Sequence, residues 1–169
     1  LVHDRFLASD DARALRAAYA TAARALPPIV DDAAQVLVHG DLHDGNVRLA
    51  PDGGVGFLDF DLAHVGDPAA DVGNLAAHVV LRAHEDLAPA SAVDSTARRR
   101  AAERGFARAL AFVDAYREHG GPAPVSAVAA AAAHAAFRLA CLYRFRLAGR
   151  AFADALLEVA LRFPEVLRS

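Results

Sequence analysis

The sequence predicts a mainly helical α+β domain, and three observations carry that reading. Alanine-rich stretches with apolar residues at helical spacing fill most of the chain, at about residues 9 to 26, 71 to 84, 96 to 119, 126 to 148 and 152 to 161. A short β-type block, residues 36 to 58, interrupts them with one apolar run and a pair of apolar runs flanking Pro51-Asp52-Gly53-Gly54. The 169 residues then suffice for one domain, 1–169, that buries most of its surface.

In chain order, residues 1 to 8 read as the end of an earlier element. Ser9 offers an N-cap, and Asp10 and Asp11 enrich the first turn of a helix that Pro27-Pro28 stops. Leu15, Ala18, Tyr19 and Ala22 mark its packed face. Val36 to Val38 is a buried strand, followed by a polar loop and a hairpin. Residues 62 to 70 form a loop, and Asp71 is placed to cap the next helix. Gly73 weakens that helix and marks close backbone packing against the 39–46 loop. Pro89 to Ser95 is a connection; Phe106, Leu110 and Val113 share a face of the helix after it. Val128, Ala132, Ala136, Leu139, Tyr143 and Leu147 keep a 3.6-residue period up to Gly149, and Pro164 closes the last helix.

Composition narrows the function. A net charge of -3 and a pI near 6.2 leave no nucleic-acid or membrane-surface footprint. The longest uncharged stretch, Gly120 to Phe137, is broken and mostly alanine, short of a membrane span. Cys141 has no partner for an internal disulfide and sits in an apolar helical pattern, which fits a reducing, cytoplasmic setting. All 18 basic residues are arginine, and methionine is absent. The chain begins at Leu1 and reads as a piece of a longer protein.

The chemistry concentrates in residues 36 to 61. Asp41 and Asn46 are five apart in a glycine-punctuated loop after a strand, the spacing of the kinase loop H-R-D-x-x-x-x-N, with Gly40 in place of the arginine. With Asp52 and Gly53 as the centre of a two-residue turn, 50 faces 55, 47 faces 58 and Asn46 faces Asp59. An amide oxygen and a carboxylate converging from paired strand ends suit a hard cation such as Mg²⁺.

His39-Gly40-Asp41-x-x-x-x-Asn46, Leu58-Asp59-Phe60-Asp61 and Gly66-Asp67-Pro68-x-x-Asp71-Val72 stand in the order found in the aminoglycoside phosphotransferase and choline kinase family, whose catalytic lobe this sequence resembles. The pieces cover about a fifth of the chain. The resemblance implies a kinase-like C-terminal lobe with a catalytic loop and a metal-binding β-hairpin. It implies ATP and Mg²⁺ as cofactors, a small-molecule hydroxyl as acceptor (an aminoglycoside, choline, amino alcohol or sugar), Asp41 as catalytic base, and Asn46 and Asp59 as metal ligands. Asp71 then hydrogen-bonds the catalytic loop as well as, or instead of, capping its helix. His39 ends a strand, where a base or metal ligand is the alternative, and by its position reads as structural, hydrogen-bonded to the loop it precedes. Asp61 is either a second neighbour of the metal or a polar residue that holds the loop. Asp71-Val72-Gly73 departs from the family's Asp-Leu-Ala. No strand lysine and no G-x-G-x-x-G precede residue 36, so the nucleotide-binding N-terminal lobe is expected upstream.

Two rival readings use the same residues. His43 and Asp44, with His39 and Asp41, invite a transition-metal or metallophosphoesterase reading; adjacent loop residues converge only with special geometry, and no second histidine cluster or Gly-Asn-His-Asp string follows. His64, His78, His84, His119 and His134 are scattered and read as surface or packed side chains. A non-catalytic binding module is the other rival, supported by the missing lysine and glycine-rich loop. For substrate, acidic residues after position 90 (Asp94, Glu103, Asp114, Glu118) would suit a cationic sugar, with nothing to rank them, and Arg98 to Arg100 reads as a solvated face.

Overall fold

The computed structural model describes residues 10–29, 34–85, 95–144 and 150–167. Ser9, the residues before it, Asp94 and the rest of the 89–94 connection, Leu147 and Gly149 lie outside the described residues. Among the described residues the elements are, in order, α1 (Asp10–Ala25), β1 (Val36–Val38), β2 (Val47–Leu49), β3 (Val55–Phe57), β4 (His64–Gly66), α2 (Pro68–Glu85), α3 (Ser95–Glu118), α4 (Val125–Arg144) and α5 (Arg150–Val166), with a 3₁₀ turn at Asp44–Asn46. The result is a helix-rich α+β fold with two small antiparallel sheets, β1–β4 and β2–β3.

The core is built by α2, α3, α4 and α5. α4 is central, packing on both α2 and α5, while α2 also packs on α3. Alanines at 129, 132, 133, 136 and 140 of α4 are buried, which allows its neighbours to come close, and Val128 and Leu139 fill the remaining volume. Phe106 of α3 meets Phe163 of α5 edge-on at 5.1 Å between centroids. By length and composition α4, which overlaps the Gly120 to Phe137 stretch but runs on to Arg144, is apolar enough to cross a membrane; half of its apolar window is buried within the protein, as in the core helix of a globular fold. α1 lays Tyr19 and Ala22 against the core, Leu26 just after it does the same, and Ala18, expected on that face, is exposed.

Gly73 shows why α2 and α4 approach so closely. A β-carbon there would lie 2.6 Å from Ala131 Cβ and 2.6 Å from the Ala132 nitrogen. The close packing expected at Gly73 is therefore real, but its partner is α4 and not the 39–46 loop. Pro164 lies inside α5 instead of closing it. The buried side chains of Phe163 and Leu167 on either side carry the helix past it, and Leu167 N–H donates to Phe163 O at 3.0 Å.

The β elements depart from expectation in three places. β1 occupies 36–38 as expected, but only Val38 is buried and Leu37 is exposed. Its partner is β4, within the stretch expected to be loop, in the register Val36↔Gly66, Leu37↔Val65, Val38↔His64. The hairpin is one residue out of the expected register: Val47 pairs with Phe57 and Leu49 with Val55. Gly53 N–H donates to Ala50 O at 3.0 Å, Ala50 N–H to Gly54 O at 2.8 Å, and Gly53 has φ +86°. Those bonds define a three-residue loop, Pro51 to Gly53, with a glycine bulge, in place of the two-residue turn.

Candidate functional site

The 39–46 loop leaves β1 and is gripped from one side by the first turns of α2. Asp67, not Asp71, caps that helix: its Oδ1 accepts the Ala69 N–H at 2.8 Å, and Pro68 follows at the first helical position. Asp71 lies one turn into the helix, freed from capping. Its Oδ2 accepts the His39 N–H at 2.5 Å and its Oδ1 the Gly40 N–H at 3.0 Å. One buried carboxylate thus fixes two consecutive peptide groups through charge-assisted bonds. Gly40 turns with φ +82°, and a β-carbon there would strike Leu62 O at 2.3 Å, so only glycine fits.

Asn74, on the same helix face three residues after Asp71, is a second clamp. Its Nδ2 donates to Leu42 O at 2.9 Å, and its Oδ1 accepts from the Arg138 guanidinium of α4 at 2.7 Å. Sequence reasoning missed both residues. The Asp71-x-x-Asn74 spacing was the available signal; nothing in the sequence pairs Arg138 with it.

His39 is buried and fully engaged. Its Nδ1 accepts the Asp41 N–H at 3.3 Å, which assigns the proton to Nε2, and Nε2–H donates to Leu58 O at 2.7 Å. Phe60 covers its ring at 5.0 Å. Both ring nitrogens are thus bonded, one to the loop and one to the residue that follows β3.

Leu58 ties the hairpin to the loop, since its N–H donates to Asn46 O at 2.9 Å. Asn46 therefore stands opposite Leu58, and Asp59 is one residue further on, a consequence of the three-residue turn. Asp59 is exposed and has φ +62°, a left-handed conformation that aspartate tolerates better than most residues. Asn46 is buried, and its Nδ2 donates to Asp41 O at 3.2 Å, which leaves Oδ1 as the acceptor of that side chain. Asp61 is exposed in the turn closed by Ala63 N–H to Phe60 O at 2.9 Å.

Asp41, its side chain 41% exposed, opens on a groove of about 630 Å³ lined by Gly40, Leu62, Asn74, His134, Phe137 and Arg138 among others. Its helical lining comes from α2 and α4 and not from the acidic residues of α3. Glu103 pairs with Arg99 at 3.0 Å and Asp114 with Arg117 at 3.6 Å on exposed surface, and Glu118 is also exposed. These three residues do not line the groove beside Asp41.

On the α2 side of the loop, His43, Asp44 and His78 come together. His78 Nδ1 is 3.7 Å from Asp44 Oδ1, and the His43 and His78 rings stack at 5.0 Å. Burial, helped by His43, lowers the pKa of His78 to about 4. Arg82 holds the other oxygen of Asp44 at 2.6 Å.

The strand-end loop of this helix-rich α+β fold thus presents the Asp41 carboxylate, with buried Asp71 holding the two peptide groups before it and Asn46 bonded to its carbonyl. Residues 1–104 match the phosphotransferase enzyme family, and the chain belongs to that family. No curated protein and no solved structure matches the chain. Membership implies a kinase-like lobe and phosphotransferase activity in the broad sense, in agreement with the motif resemblance.

Proposed function

We propose that this chain supplies the catalytic lobe of an ATP-dependent small-molecule kinase, transferring a phosphoryl group to a hydroxyl. The observation that carries the reading is the bracing of Asp41: the two peptide groups before it are held by Asp71, its own N–H by His39, and its carbonyl by Asn46. Its side chain is left facing the groove. A carboxylate held so can orient an acceptor hydroxyl and take its proton as the phosphoryl group transfers, and positioning is most of what such chemistry asks of a protein.

The donor set fits Mg²⁺. Asn46 keeps its amide oxygen as an acceptor by giving its nitrogen to Asp41 O, and Asp59 adds a carboxylate from the adjoining strand end; both are hard oxygen ligands. Bound there with nucleotide phosphates, Mg²⁺ supplies charge neutralisation. Leu58 sets the spacing of the two ligands through its bond to Asn46 O.

A nucleotide-binding lobe is the partner this reading requires. Leu49, Val55, Phe57, Leu58 and Phe60 are exposed on and beside the hairpin, an apolar surface suited to being covered. The acceptor is a small hydroxyl compound. The groove beside the 39–46 loop is lined by Asp41 and Asp71 as well as by Arg138 and His134.

The test uses the full-length protein with Mg²⁺-ATP and a panel of amino alcohols, sugars, choline and aminoglycosides, measuring phosphorylated product. Transfer lost in both Asp41→Asn and Asp59→Asn establishes the kinase and its acceptor class. No nucleotide binding, with both variants indistinguishable from the parent, would leave a binding module as the correct reading.

A further inference from the structure

We propose that His43, Asp44 and His78 form a transition-metal site that fastens the 39–46 loop to α2. Each of the three side chains offers a ligand atom, and these atoms all lie within 4.8 Å of one another. Adjacent loop residues rarely converge, but here His43 is the N-cap of the 3₁₀ turn Asp44–Asn46, and that tight turn brings its ring and the Asp44 carboxylate to the same side. His78 reaches them from the middle of α2.

Two atoms at the centre of the cluster ask for a ligand. Asp44 Oδ1 and His78 Nδ1 are buried, 3.7 Å apart, and have no hydrogen-bond partner. Buried polar atoms are normally satisfied, and a cation between an oxygen and a nitrogen lone pair would satisfy both. Bonds of about 2.0–2.2 Å at tetrahedral angles place ligand atoms roughly 3.4 Å apart, so the Asp44–His78 pair is already close to that spacing.

The donor chemistry selects the metal. Two imidazoles and one carboxylate favour Zn²⁺, Co²⁺ or Ni²⁺ over Mg²⁺, which prefers all-oxygen sites. His43 Nδ1 now accepts the Gly45 N–H at 3.0 Å. Ligation through that nitrogen replaces the hydrogen bond and leaves Nε2–H for Asp41 Oδ2, 3.8 Å away, a carboxylate–histidine–metal relay. Arg82 orients Asp44 through the oxygen the metal does not use, and its charge is shared with Glu85. The site is separate from the oxygen pair Asn46 and Asp59, and it stands whether or not the chain transfers phosphate.

The protein, stripped with a chelator, is titrated with Co²⁺ while visible d–d absorption is followed, then with Zn²⁺ in excess Mg²⁺ while the imidazole resonances are recorded by NMR. One equivalent of Co²⁺ should bind, Zn²⁺ should displace it, Mg²⁺ should not, and the shifted rings should be those of His43 and His78. His78→Gln and His43→Gln should each weaken Co²⁺ binding on the order of 100-fold, and His119→Ala, just after α3, should leave it unchanged. A chain that takes up no Co²⁺, or one whose shifted resonances belong to other histidines, overturns the proposal. Ring shifts in the unaltered protein decide the matter even if a variant fails to fold.

Discussion

Asp71 and His39 meet through a 2.5 Å bond from backbone N–H to carboxylate, and the second oxygen of Asp71 takes the next peptide group, that of Gly40. A carboxylate accepts from both because it carries no proton of its own. In Asp71→Asn the amide can accept only one of these bonds, and its NH₂ faces a donor. Asp71→Asn and Asp71→Ala should each destabilise the fold by about 2–4 kcal/mol, the loss of two charge-assisted bonds with partly buried donors left behind. Urea unfolding measures this; Asp71→Asn at parental stability would mean that the carboxylate does not hold the loop.

Asn74 and Arg138 should act as a unit. Asn74 links Leu42 O to the Arg138 guanidinium, so removing either side chain leaves the other's polar atoms with less than their complement of bonds. Asn74→Ala should cost about 1–3 kcal/mol. A double-mutant cycle with Arg138→Ala should return a coupling energy of about 1 kcal/mol or more. Additive effects would show that the two residues stabilise the molecule independently.

These clamps also mark where sequence reasoning stopped. The helices were legible because apolar residues recur every three or four positions, and the strand–loop–hairpin order was legible because Val36 to Val38 runs into glycines. The hairpin register was not, since Asp52-Gly53 fits both a two-residue turn and the three-residue bulged loop that forms, and the difference moves Asp59 from facing Asn46 to one residue beyond. β4 was invisible because three residues, His64 to Gly66, carry too little periodicity, and pairing with β1 makes the strand. Asp67 and Asp71 are both plausible caps by type, and Pro68 at the first helical position decides between them. His78 could not be assigned to the loop, because its neighbours His43 and Asp44 reach it only through tertiary packing.

Gly73 sets helix propensity against packing. In an isolated helix Gly→Ala is worth up to about 1 kcal/mol of stabilisation. Here the new methyl would sit 2.6 Å from Ala131 Cβ and from the Ala132 nitrogen, and the second of these is backbone that cannot turn aside. Overpacking of this kind costs about 1–3 kcal/mol, which exceeds the gain in propensity. Gly73→Ala should therefore lower the midpoint of thermal unfolding. A rise would mean that α4 moves away easily and that the α2–α4 contact is looser than it looks.

His78 makes the metal-free protein sensitive to acid. Burial lowers its pKa from the ordinary 6.5 to about 4, so between those values the unfolded chain binds a proton that the folded chain refuses. Stability from this residue is complete above about pH 6.5 and falls as the pH drops toward 4, by up to about 3 kcal/mol over the window, less whatever the 14% exposure of the side chain returns through solvent. His43, Arg82 and Arg138 act in the same direction as burial, and Asp44 opposes them. With chelator present, urea unfolding at pH 7 and pH 5 should show the parent losing more stability than His78→Gln, the difference isolating this ring from the other histidines. Equal losses would show that His78 is protonated as readily in the folded protein as in the unfolded one, and that the space between it and Asp44 is open to water.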